Sequence, residues 1–134
     1  MAAISLTVSQ VSTSASNACV REHSLKMDRP VAKGGSNEGM MGGEALLSGL
    51  GGCFMSNLLA AAVARGITLS GVKTEVTGQL SEEGPSRFVA ITLSVSGCSS
   101  IPDELSKLVV IAEKGCIVAN TLRSSVELSA QVKS

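Results

Sequence analysis

The chain has 134 residues, 11 basic and 11 acidic side chains, and an isoelectric point near 6.6. That length predicts one domain, 1–134, and the balanced charge leaves no field to gather phosphates or an anionic membrane. Phe54 and Phe88 are the only aromatic residues, so base stacking is poorly supplied, no nucleic acid partner is expected, and the core must be built from Val, Leu, Ile, Ala and Met.

Ile4, Leu6 and Val8 alternate with Ser5, Thr7 and Ser9, the period of a strand with one buried face, which predicts strand 3–11. The same stretch lacks the basic start and continuous apolar run of a signal peptide, and a cytoplasmic protein is expected. Residues 12–17 read as a turn, and 18–27 as the second strand of a hairpin. Residues 28–43 hold one proline, five glycines, Ser36 and Asn37, a composition that resists both helix and strand. A loop of that length is usually functional or disordered, so Arg29, Lys33 and Glu38 are candidates for a site wall as well as for plain solvated charges.

The chain is then apolar or small nearly all the way round from Gly43 to Arg65, and a helix without a broad polar face must be buried on most sides. Gly66 suits a left-handed cap at its end. Gly43, Gly49, Gly51 and Gly52 each cost such a helix about 1 kcal/mol relative to alanine. Close approach by another helix would offset that cost; a kink or a later helix start would avoid it. The longest apolar run, Leu58 to Ala64, is too short to span a bilayer, so no membrane partner is expected.

Alternation resumes in 69–80 and 86–97, two strands joined by the turn Ser81-Glu82-Glu83-Gly84-Pro85. Cys98 at the end of the second strand reads as a buried small hydrophobe. Pro102-Asp103-Glu104 opens a second helix, with Leu105, Leu108, Val109 and Ala112 at helical spacing, Ile101 as a staple, and Gly115-Cys116 at its end. Val126, Leu128, Ala130 and Val132 predict a last strand at 125–133. The expected class is α+β, in the order β-β-α-β-β-α-β around a long buried central helix.

One histidine, His23, and no C-x-x-C pair make a metal site improbable, and neither a nucleophile elbow nor a phosphate-binding glycine spacing is present. No cofactor is expected. The remaining chemistry lies in four cysteines, Cys19, Cys53, Cys98 and Cys116, which a reducing cytosol would keep out of a static disulfide framework. A helical cysteine is most often inert, but Gly51, Gly52 and Ser56 leave room for a small substrate beside Cys53, and Cys116 at a helix end could reach another element.

Gly34-Gly35-Ser36-Asn37-Glu38-Gly39, Glu44-Ala45-Leu46-Leu47, Leu50-Gly51-Gly52-Cys53 and Ala112-Glu113-Lys114-Gly115-Cys116-Ile117-Val118-Ala119-Asn120-Thr121-Leu122 together resemble the two signatures of the OsmC/Ohr family of hydroperoxide reductases, osmotically inducible and organic hydroperoxide resistance proteins. The resemblance implies an intertwined homodimer with its long helices packed centrally and active sites at the subunit interface. It implies a stress-response peroxidase in which Cys53 is the peroxidatic thiolate and Cys116 the resolving thiol, the two closing a disulfide that an external dithiol reduces, a lipoyl protein in the organic-hydroperoxide branch. It further implies an arginine that favours the thiolate, held by a glutamate. Arg29 is the best match, with Arg21 as the alternative, and Glu44 is the corresponding acid.

In better characterised branches the acid lies ten residues before the cysteine, a position held here by Gly43. Nine residues of helix turn about 900°, which puts Glu44 on the face opposite Cys53. Either the glycines break the helix near Gly49 or Glu44 serves the cysteine of a partner chain. Met40-Met41-Gly42 also replaces the family's loop proline. The competing expectation is a non-catalytic member of the fold that binds a small apolar ligand or senses redox state.

Overall fold

In a computed structural model, which describes residues 2–133, the chain is a mixed α+β protein that divides into two compact units, one through Leu46 and the other from Leu47 onward.

The first unit is built on an antiparallel meander, β1 (Thr7–Gln10), β2 (Ser16–Val20) and β3 (His23–Met27). Thr7 pairs with Cys19, and Ser16 with Met27. The single strand expected at 18–27 is therefore two. Val20 pairs with His23, leaving Arg21 and Glu22 as a tight turn in which Arg21 takes φ 51°. Residues 28–41 form the expected loop, with one 3-10 turn at Val31–Lys33. A parallel bridge between Met27 and Met40, and a bond from the Asp28 amide to the Met40 carbonyl (3.0 Å), tie the loop's ends together. Gly35 is required inside it, since a Cβ there would lie 2.0 Å from the Arg29 carbonyl oxygen.

Helix α1 (Gly42–Ala64) starts in the first unit and runs through the second without a break at Gly49. It ends as the sequence predicts: Gly66 takes φ 65°, and the Ile67 amide bonds back to the Ala62 carbonyl at 2.9 Å. Strands β4 (Leu69–Leu80) and β5 (Phe88–Ser99) form a long hairpin, followed by α2 (Glu104–Gly115) and a six-residue helix α3 (Ile117–Leu122). The core of the second unit joins Leu50, Phe54, Leu58, Ala61 and Ala62 of α1 to Leu108 and Ala112 of α2, Cys116 and Ala119, with Val76, Ile91, Leu93 and Val95 from the inner face of the hairpin packed against it.

Three expectations need correction. Within one chain α1 is buried along a single stripe: Leu50, Phe54 and Leu58 are inside, whereas Leu59 and Val63 are exposed. Its glycines divide likewise, because Gly51 faces β4 with a would-be Cβ 3.0 Å from Val76 Cγ2, while Gly49 and Gly52 face open space. By length and mean hydropathy (1.6) the helix would also qualify as a membrane span, a test that core helices pass as well. Residues 125–133 form no strand, although their alternation is real. A strand needs a neighbour for its N–H and C=O groups, and none of the chain's five described strands pairs with them, so Leu128 and Val132 lie over nine-tenths exposed. Cys98 is exposed on β5, opposite Ser70, because it falls on the outer side of the hairpin. The sequence reading also misses α3, whose six residues are too few to display a period.

Candidate active site

Cys53 lies midway along α1, half-buried, one residue before the core side chain Phe54. Cys116 is fully buried at the junction where α2 ends and α3 begins. Both thiols are free, and both belong to the second unit. Cys116 also shapes the backbone around itself: its extended φ/ψ ends α2, and its Sγ accepts from the Ala119 amide at 3.4 Å, capping α3. Arg123 at the end of α3 pairs with Glu113 of α2, which fastens the second side of the junction.

The two thiols differ electrostatically. Backbone hydrogen bonding from Val118 favours the Cys53 thiolate, the Cys116 thiol and the Ile117 amide add to it, and together they outweigh burial, so the Cys53 thiol is held below its ordinary value. Burial pushes the Cys116 thiol up, and the neighbouring Cys53 charge pushes the same way. The proton therefore leaves Cys53 more readily than Cys116, the order that a nucleophile and a second-step partner require.

Asn57 stands beside them and was not a sequence candidate. Its Nδ2 donates to the Cys53 carbonyl at 2.9 Å and lies 3.9 Å from the Cys53 Sγ. The signal was present, since residues four apart share a helix face.

The predicted Arg29 and Glu44 belong to the first unit. Arg29 is exposed in the loop after β3, where it lines an open cleft of about 540 Å³ together with Ser14, Ser16, Lys33 and the start of α1. Its position is set by Asp28, the second residue that sequence reasoning missed. Asp28 is 4% exposed and accepts from the amides of Arg29 (2.7 Å), Ser36 (3.0 Å) and Glu38 (3.2 Å). Burial opposes its charge, but the Glu38, Arg29 and Ser36 amides and the Ser14 hydroxyl prevail and hold its carboxyl below the usual range.

Glu44 is exposed in the first turn of α1, and its Oε1 accepts from the Met41 amide at 2.8 Å, the reach-back half of a capping box. Among the described residues no ion pair joins it to Arg29. Arg21 is exposed in the β2–β3 turn. Among the described residues no group of three His, Cys, Asp or Glu side chains could hold a metal ion.

A family model described as OsmC-like protein matches residues 35–131, a span that contains both thiols, Glu44 and Asn57. No curated protein sequence matches the chain. Among solved structures, the chain is similar to an OsmC-like protein from Mycoplasma pneumoniae, at 25% identity over 89% of this chain and 86% of that one, with a TM-score of 0.77. It shares its fold with an organic hydroperoxide resistance protein OsmC from Legionella pneumophila, at 19% identity over 92% of each chain and a TM-score of 0.59. The same holds for an OsmC-like hydroperoxide resistance protein from Jannaschia, at 18% identity over 96% of this chain and 91% of that one, with a TM-score of 0.59.

Proposed function

The chain belongs to the OsmC-like protein family, and on that premise we propose that it is a cysteine-dependent peroxidase that reduces organic hydroperoxides or hydrogen peroxide. The observation that carries this reading is that two free thiols, Cys53 in mid-helix and Cys116 at the α2–α3 junction, come together in one cluster, and the lowered Cys53 and raised Cys116 proton affinities agree with it. The Cys53 sulfur attacks the terminal oxygen of the peroxide. An S–O bond forms, the O–O bond breaks, and the leaving alkoxide takes a proton to become alcohol, or water when the substrate is hydrogen peroxide. Cys53 is left as a sulfenic acid. The Cys116 thiol then attacks that sulfur, the S–S bond forms, and the hydroxyl leaves as water with the Cys116 proton. An external dithiol, such as a dihydrolipoyl group carried by another protein, returns both cysteines to thiols by two exchanges and leaves as its own disulfide.

The working unit in this reading is an intertwined homodimer of single-domain chains in the cytoplasm. Three features of the lone chain support a second copy: the exposed apolar side of α1 at Leu59 and Val63, the open faces at Gly49 and Gly52, and the unpaired alternation ending at Val132. Arg29 supplies the cation for the thiolate and Glu44 serves the partner's site. Free thiols titrated before and after one equivalent of cumene hydroperoxide test the chemistry, with two thiols lost per chain as the expected result. Cys53→Ser should consume no peroxide, and unchanged consumption would overturn the mechanism. Cys116→Ser should retain one oxidation and lose turnover.

A second reading, a redox sensor or small-ligand-binding member of the fold, draws on Glu44, whose carboxylate is engaged by the Met41 amide rather than by an arginine. Formation of the disulfide with one equivalent of peroxide, but no sustained consumption with any dithiol reductant, would favour it.

A further inference from the structure

Asn57 bonds to the Cys53 turn and faces the residue before Cys116. Four residues after Cys53 on α1, it presents Nδ2 to the Cys53 carbonyl at 2.9 Å and to the Cys53 Sγ at 3.9 Å. Its Oδ1 faces the other way, to the last residue of α2: a Cβ on Gly115 would lie 3.2 Å from that oxygen. Gly115 immediately precedes Cys116, so the carboxamide occupies the gap between the turn of α1 that carries one sulfur and the junction that carries the other. Asparagine suits the place chemically, because an amide nitrogen is a donor only and can face a sulfur that becomes negative without competing for charge.

We propose that Asn57 is the positioning residue of the Cys53–Cys116 pair: its carboxamide holds the Cys53 turn at a fixed spacing from the Gly115–Cys116 junction and keeps an N–H donor directed at the reacting sulfur. The role has two parts. The donor favours the thiolate, and the spacing sets how readily the two sulfurs meet. Gly115 belongs to the device, since a larger residue would press on the carboxamide oxygen.

This inference rests on the peroxidase reading of the two thiols, and its test is independent of peroxide turnover. Full-length protein is alkylated with iodoacetamide across pH 5–10, and the Cys53 peptide is followed by mass spectrometry so that the exposed Cys19 and Cys98 do not contribute. Separately, diamide, which accepts two electrons and two protons as a dithiol closes, drives the Cys53–Cys116 disulfide. Asn57→Asp keeps the shape and exchanges the amide donor for a charged acceptor. It should move the Cys53 alkylation midpoint upward by about one pH unit, a roughly tenfold slower reaction at pH 7. Asn57→Ala should move it less and should slow disulfide closure several-fold. Gly115→Ala, which leaves Asn57 in place but crowds its oxygen, should slow closure as well and serves should the Asn57 variants fail to fold. Wild-type alkylation profiles together with wild-type closure rates in the folded variants would overturn the proposal. If the wild-type protein consumes no peroxide while these shifts appear, the peroxidase reading fails and the positioning role stands.

Discussion

The loop after β3 and the α2–α3 junction solve opposite problems with buried polar atoms. In the loop, a single carboxylate, Asp28, is favoured as the charged form by three amides and organises backbone none of whose apolar side chains is fully buried. At the junction, Cys116 and the nearby Cys53 of α1 lie against an apolar core, and the few donors present ease proton loss from Cys53 while burial hinders it at Cys116. The contrast separates two uses of backbone N–H groups. A full set of donors favours the charged form and gives it a structural role, whereas a partial set leaves a sulfur able to react.

The comparison can be broken hardest at the junction. Cys53→Ser removes the proposed nucleophile and should abolish peroxide consumption in a coupled or direct absorbance assay while leaving the fold intact. Phe54→Ala, next to it and 1% exposed, should cost about 3–5 kcal/mol of unfolding free energy in urea or guanidinium titrations, because the neighbouring Leu58 and Leu108 cannot fill the space.

The loop should respond more gently and with a different pH signature. Asp28→Asn removes a charge that the amides select, and its melting temperature at pH 7 should fall by less than that of Phe54→Ala. Because the folded-state carboxyl lies below its unfolded value, its stabilising effect is fully present above the unfolded value and is lost as the pH falls through the folded one. The stability difference between wild type and Asp28→Asn should therefore narrow below about pH 4, as read by thermal unfolding at successive pH values. Equal differences at pH 7 and pH 3 would remove Asp28 from its role. The smallest effect belongs to Glu44→Ala, which frees the Met41 amide and should cost about 0.5–1 kcal/mol by denaturant unfolding, as the loss of a helix-start bond does. A much larger loss of peroxidase activity than of stability in that variant would support its service to a partner site.

How much of this was legible differs element by element. The β4 strand at 69–80, the helix ending at Gly66 and the pair of cysteines at mid-helix and helix end are all written in local pattern. Arg29 was legible as a loop cation, but Asp28 beneath it was not, because the amides that hold it come from residues one, eight and ten positions away and meet only when the loop is closed. Asn57 is one of four polar residues, with Glu44, Ser48 and Ser56, on an otherwise apolar helix, and only the approach of Gly115 to its oxygen sets it apart.

The sequence by itself determined the class, the periods of the main strands and helices, the family and the two thiols, since periodicity and motif spacing are properties of neighbours along the chain. Only the tertiary structure decided that 125–133 finds no strand partner within the chain, that Glu44 caps α1, and that Cys53 and Cys116 carry opposite proton preferences. Those outcomes depend on which donors and acceptors meet across long stretches of chain, and no local pattern records that.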